Sequence, residues 1–150
     1  MIDIRTAQFS DIAEHPDFQV LLDEYGEESS INGMPPPDCQ VHMYQQMQDL
    51  GIIHVFAAYE GEALAGILCI ITTVIPHYGA KVSTTESFFV RPSHRKAGAG
   101  LMLLRAAEKR SDELGAVGLL VSAPFGGQLA EVLSKKGYSE TNRVFFRKAA

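Results

Sequence analysis

Residues 88–115 read FFVRPSHRKAGAGLMLLRAAEKRSDELG, and the order of residue types in this stretch decides the fold. An apolar run stops at Pro92, the cations Arg91, Arg95 and Lys96 crowd together, and Gly98 and Gly100 follow. Beyond them Leu103, Ala107 and Leu114 recur as part of a helical stripe, with Lys109 and Glu113 one turn apart on the wet side. Gly115 ends the helix. A helix N-terminus leaves backbone N–H groups without intrahelical partners and carries partial positive charge. Glycines let a ligand approach that backbone closely, so a strand, a basic glycine loop and a helix in this order make an anion site suited to phosphate.

Working outward, Ile2 to Arg5 alternates as a short first strand. Ser10-Asp11 can cap a helix that His15-Pro16 interrupts. Phe18, Leu21, Leu22 and Tyr25 then take helical spacing. Residues 26–38, with Gly33 and three successive prolines, form a loop, and Asp38 can cap a helix that runs to about Leu50, with Gly51 its C-cap. Ile52–Tyr59 and Ala63–Val74 are strand-like runs joined by a tight turn at Glu60-Gly61-Glu62, and Val82–Val90 is a further strand. After the long helix, Val117–Ser122 is a near-continuous apolar run of the kind found within a sheet covered on both faces. Pro124–Lys136 is helical past its Pro-Phe-Gly-Gly start, and Val144-Phe145-Phe146 is a final strand. The expected order is β-α-α-β-β-β-α-β-α-β, a single α/β domain over residues 1–150 around a mixed sheet.

Composition limits the partners. The chain has 150 residues, 46% hydrophobic and 21% charged, with a net charge of −5. That is a folded chain without the broad basic face of a nucleic-acid binder. The two cysteines, Cys39 and Cys69, are far apart and form no redox or zinc spacing, so a reduced, cytoplasmic protein is expected. No histidine pair has ligand spacing, and no metal is expected. The start of the chain lacks a signal-peptide apolar region, and Leu64–Ile75, at about a dozen residues, falls short of the ~20 needed to span a membrane.

The phosphate-loop pattern G-x-x-x-x-G-K-[ST] fails because no Lys-Ser or Lys-Thr follows either glycine. The dinucleotide pattern G-x-G-x-x-G fails at Leu103 and lies too late in the chain. Arg95-Lys96-Ala97-Gly98-Ala99-Gly100 is an R-x-x-G-x-G between a strand and a helix, and it resembles the pyrophosphate loop of the GNAT superfamily of N-acetyltransferases. The flanking elements, the chain length and the KKGY at 135–138 extend the resemblance over essentially the whole chain. The alternative for the loop by itself is a solvated basic turn.

The resemblance implies a mixed, mostly antiparallel central sheet flanked by helices, and transfer of an acetyl group from acetyl-CoA directly to a primary amine. Acetyl-CoA, a co-substrate, would be held by Arg95, Lys96, Ala97, Gly98, Ala99 and Gly100 at its pyrophosphate. The main chain of Phe88, Phe89 and Val90 would meet the thioester and pantetheine arm, and Ser122 and Phe125 would line the channel where the next strand splays away. Glu86 is the only acid on its strand and the candidate general base. Many relatives carry the acid one position later, where this chain has Ser87, so Glu86 faces the wrong side of the sheet unless a bulge shifts it. The alternative is a strand-end carboxylate held by a hydrogen bond. The family's usual tyrosine acid falls at Leu133, which leaves Tyr138 as the nearest candidate, or a core aromatic. Tyr25 and Glu28, in the acidic first helical region, are the candidate acceptor contacts, favouring a cationic amine by complementary charge. A non-catalytic acyl-CoA sensor is the rival reading, and a homodimer through edge strands near the C-terminus is a structural one.

Overall fold

The computed structural model describes residues 1–150. In chain order the elements are β1 (Ile2–Thr6), α1 (Phe9–Ala13), α2 (Phe18–Ser29), α3 (Val41–Asp49), β2 (Ile53–Glu60), β3 (Ala63–Ile75) and β4 (Ala80–Val90). A 3-10 segment at Pro92–Ala97 then leads to α4 (Ala99–Glu113), β5 (Leu119–Leu120) and α5 (Leu129–Lys135). The five strands lie in the order β1-β2-β3-β4-β5. β1 to β4 pair antiparallel, β2-β3 and β3-β4 through short turns and β1-β2 across the three intervening helices, whereas β4 and β5 are parallel because α4 crosses over between them.

Strand alternation divides the core in two. Phe9, Ile12, Phe18 and Leu21 of the first two helices pack on Ile53, Val55, Ala57, Leu64, Ile67, Cys69 and Phe89. On the other face Ala99, Leu103 and Ala107 of α4 cover Ile2, Phe56, Ala58, Ala65, Leu68, Ile70 and Val90. Each of the fully buried leucines, such as Leu103, contributes about 1.5–3 kcal/mol. Burial makes the central strands read as unbroken apolar runs. One position in them must be glycine: a Cβ on Gly66 would stand 2.7 Å from the carbonyl oxygen of Phe89 on β4.

α1 is only five residues long and has no capping side chain of its own. Its free N–H groups are met from α3 instead. The N–H of Phe9 donates to Gln48 Oε1 at 2.8 Å and that of Ser10 to Gln45 Oε1 at 3.1 Å, while Gln48 Nε2 donates back to the Ala7 carbonyl. Long-range glutamines thus do the capping expected of Ser10-Asp11, and the helix starts at Phe9. Asp38 caps no helix either: α3 begins after Gln40, whose amide donates to Asp38.

The C-terminal third departs from the sequence reading. The run at 117–122 forms a ladder only at Leu119 and Leu120, and it lies on the sheet edge rather than inside it. Ser122 N–H has already left the main chain of β4 and donates instead to the side-chain hydroxyl of Thr85 at 3.0 Å. Pro124, which has no N–H, follows soon after. With so short a β5 beside it, the expected strand at Val144–Phe146 is not formed. Beyond Tyr138 no main-chain N–H donates to another backbone group, and Val144 and Phe145 are exposed.

Candidate active site

The 3-10 segment begins with Pro92, whose fixed φ suits a first helical position, and ends at Gly98 with φ 83°. That left-handed turn re-aims the chain into α4. The first intrahelical bond of α4 runs from Met102 N–H to the Gly98 carbonyl at 3.1 Å. The N–H groups of Ala99, Gly100 and Leu101 have no backbone acceptor, and no side chain caps them. Nothing lies within 4 Å of where a Gly98 Cβ would be, and at Gly100 only a Val90 methyl does, at 3.7 Å. Three free N–H groups at the positive end of a 15-residue helix, open to approach, fit a pyrophosphate.

The cations beside this end do not all face it. Arg91 turns to α2, 3.2 Å from Glu24 and 3.7 Å from Asp17, with its side chain only 15% exposed. Arg95 donates to Glu28 at 2.7 Å and to the Val90 carbonyl at 2.9 Å, and its guanidinium lies over the Phe89 ring. His94 is largely buried and bonded to Glu60. Lys96 has no ion-pair partner in the structure. The groups left unengaged at this end are therefore the amides and Lys96, while Arg91 and Arg95 fasten α2 to the loop. Replacing Arg91 by glutamine should lower stability by about 1–3 kcal/mol, because Asp17 and Glu24 lose their counter-charge. The affinity for a CoA ligand should change little. Denaturant melts and calorimetry on the same variant check both halves.

β4 supplies the rest of the site. Ser87 pairs with Cys69 and Thr85 with Ile70, so Glu86 is an extra residue, a β-bulge. Thr85 follows its partner Ile70 toward α4, and Ser87 follows Cys69 toward the first three helices. The bulge lets Glu86 turn toward those helices as well, where Tyr44 of α3 donates to its Oε1 at 2.6 Å. Tyr44 is itself stacked on Phe9, with ring centroids 4.0 Å apart. The carboxylate is exposed on its outer side. Next to it, the hydroxyl of Ser87 is buried without a hydrogen-bond partner. Burial, followed by its bond to Glu86, pushes the Tyr44 phenol far up, and burial with the nearby charges of Glu86 and Asp38 raises the Cys39 thiol. The Cys69 thiol, enclosed in the core, is pushed up to about 12 by burial. Glu86 thus receives one side-chain hydrogen bond, from Tyr44, and its other side is open to solvent.

β4 and β5 stay paired only at Ser83↔Leu119 and Thr84↔Leu120. From Glu86 to Val90 the β5-facing edge of β4 is unpaired. Two side chains reach it: Tyr25 accepts from the Phe88 N–H at 3.3 Å, and Arg95 donates to the Val90 carbonyl. Of the residues named from sequence, Glu86, Phe88, Phe89, Val90, Tyr25 and the loop 95–100 come together here. Ser122 stands at the splay, bonded to Thr85. Phe125 is fully exposed, and Glu28 is bonded to Arg95. Tyr138 lies elsewhere. Its hydroxyl donates to Glu108 of α4 at 2.6 Å, and burial with that bond raises its pKa. Leu133 is buried in α5. Tyr44 had no sequence signal, since its partner lies 42 positions away.

No group of three or more histidine, cysteine or acidic side chains is placed to hold a metal ion, and no helix is long and apolar enough to cross a membrane. The sequence pattern of the Acetyltransferase (GNAT) family matches residues 9–126. No protein of curated function matches the chain. Solved structures share the fold at low identity. A ribosomal-protein-alanine N-acetyltransferase from Brucella melitensis biovar Abortus 2308 superposes with a TM-score of 0.71 at 15% identity, covering 98% of this chain and 97% of that one. An aminoglycoside acetyltransferase from an uncultured soil metagenomic sample, in complex with trehalose, gives 0.74 at 17% over 99% and 97%. A predicted acetyltransferase from Clostridium acetobutylicum, crystallised with acetyl-CoA, gives 0.71 at 15% over 98% and 96%.

Proposed function

The chain belongs to the Acetyltransferase (GNAT) family, and from that premise we propose that it moves an acetyl group from acetyl-CoA directly to a primary amine. The observation that carries this reading is continuous in space. An unpaired strand edge runs from the bulged Glu86 to Val90, and the open amide end of α4 begins just beyond it.

Each part has a task the chemistry needs. The N–H groups of Ala99, Gly100 and Leu101, with Lys96 beside them, take the pyrophosphate of acetyl-CoA. The arm that follows carries amides, and an open strand edge pairs with amides as it would with another strand. Phe88, Phe89 and Val90 provide that edge, and Ser122 lines the opposite wall. Acetyl-CoA brings an activated acyl group, and the protein's work is to hold it and to receive a proton. The incoming amine is an ammonium ion at neutral pH and is not nucleophilic until it gives that proton up. Glu86 is the group to accept it: a carboxylate aimed by Tyr44, exposed on one side and facing the helices that would carry the acceptor. Its charge also favours a cationic acceptor. No proton-donor role is assigned to Tyr138, whose hydroxyl is engaged by Glu108. A CoA thiolate leaves without one.

Two measurements test the reading. Calorimetric titration with acetyl-CoA and with CoA should show binding of both, and absence of binding would end it. Thiol release over a panel of polyamine, aminoglycoside, amino-acid and peptide amines should then show turnover with a cationic member. Binding without turnover across the panel would instead favour an acyl-CoA sensor.

A further inference from the structure

Tyr25 occupies an unusual position for a side chain of α2. Its ring is stacked parallel on Phe89, with centroids 4.9 Å apart and planes 5° from parallel, so the hydroxyl is held in one place. That place is the unpaired edge of β4, where the oxygen accepts from the Phe88 N–H. The hydroxyl's own hydrogen has no acceptor on the protein and is free to point into the cleft between β4 and β5. Glu86 lies two residues back along the same edge, and it turns to the same side of the sheet. A hydroxyl that accepts from a main-chain N–H becomes a better donor itself, because successive hydrogen bonds polarise one another. Burial, opposed by the Phe88 bond and reinforced by the Glu86 charge, raises the phenol's pKa, so the proton stays on the oxygen.

We propose that Tyr25 donates its hydroxyl hydrogen to the acyl oxygen of the thioester, standing between that oxygen and the Phe88 N–H, and stabilises the negative charge that gathers there during transfer. This assigns Tyr25 to the acyl group rather than to the acceptor amine. It rests on the reading above that the β4 edge receives the acyl arm. The electron bookkeeping is simple. The ammonium gives one proton to Glu86, the nitrogen lone pair forms the N–C bond, and the carbonyl π pair moves onto oxygen, where the Tyr25 hydrogen bond strengthens. The second amine proton passes to water. The oxygen pair then returns, the C–S bond breaks with its pair on sulfur, and Tyr25 keeps its proton throughout. Donors placed where charge develops are worth roughly 10²–10³-fold in rate.

The test does not require the acceptor to be known. Acetyl-CoA labelled with carbon-13 at the thioester carbonyl is bound to the intact protein, and to the Tyr25→Phe variant, under conditions set by calorimetry. Phenylalanine keeps the stacking on Phe89 and removes only the hydroxyl. The isotope-edited infrared band of the bound carbonyl should lie below that of free acetyl-CoA in the parent protein and move back up in the variant, with affinity changed less than threefold. A band at the same position in both proteins overturns the proposal. So does tighter acetyl-CoA binding by the variant with no band shift, which would mean that Tyr25 merely fills the slot. If the parent protein binds no acetyl-CoA, the donor-site reading itself falls and takes this one with it. Loss of the band shift alone leaves that reading standing.

Discussion

Replacing Gly98 by aspartate should abolish acetyl-CoA binding and leave a folded protein. The two effects separate because of where this glycine stands. Its φ of 83° costs a side-chain-bearing residue about 1–2 kcal/mol, and aspartate is among the residues that tolerate this region best. A Cβ there meets nothing within 4 Å, so the core is not disturbed. The same open space is where a pyrophosphate would have to sit. A carboxylate in it repels the ligand and can accept from the free N–H groups that follow, capping α4 in the ligand's stead. Loss of two charge-assisted hydrogen bonds at about 1.5–3 kcal/mol each is on the order of 100-fold or more in affinity. Calorimetry with CoA measures it. Gly98→Asn carries a similar backbone cost without the charge and should lose less, and equal losses in the two variants would mean that strain rather than charge is responsible.

Glu86→Gln should lower kcat by roughly 10²–10⁴-fold while the acetyl-CoA affinity holds, the range that general-base groups contribute. Glutamine has nearly the same shape, and its carbonyl oxygen can still accept from the Tyr44 hydroxyl, so the bulge and the α3 contact survive. What it cannot do is take a proton from an ammonium ion. Thiol release against the best amine of the panel, together with a CoA titration, separates the two quantities. Tyr44→Phe, which frees the carboxylate to wander but leaves it in the site, should give a smaller loss. An unchanged kcat in Glu86→Gln would return Glu86 to the role of a strand-end carboxylate held by a tyrosine.

The parts of this protein governed by local chemistry were legible in its sequence. Gly98, Gly100 and the Leu103–Ala107 stripe announced a strand–loop–helix unit, and the structure has that unit at β4, Pro92–Ala97 and α4. The turn at Gly61 and the apolar runs on either side gave β2 and β3 nearly to the residue. Features set by distant partners were not legible. The side of the sheet that Glu86 faces depends on one unpaired position opposite Cys69 and Ile70, and nothing near Glu86 in the chain signals it. Arg91 and Arg95 looked like phosphate ligands because Glu24 and Glu28, which engage them, are 67 positions away. Val117–Ser122 and Val144–Phe146 have strand composition, but a strand is defined by its neighbour. The short β5 ladder offers too little to pair with.

The glutamine caps on α1 bear on how the protein breathes. A helix of five residues cannot persist on its own, since isolated helices need roughly 12–15 residues to hold even marginally. Here its end is closed by Gln45 and Gln48, which belong to α3. α3 in turn carries Tyr44, which stacks on Phe9 of α1 and holds Glu86. The two helices therefore form one opening unit in native-state hydrogen exchange: the amides of Phe9 and Ser10 gain solvent access when α3 detaches, not when α1 frays. Any fluctuation that exposes them also releases the carboxylate on β4. Opening of the first helices and release of the carboxylate that Tyr44 holds are, in this fold, a single event.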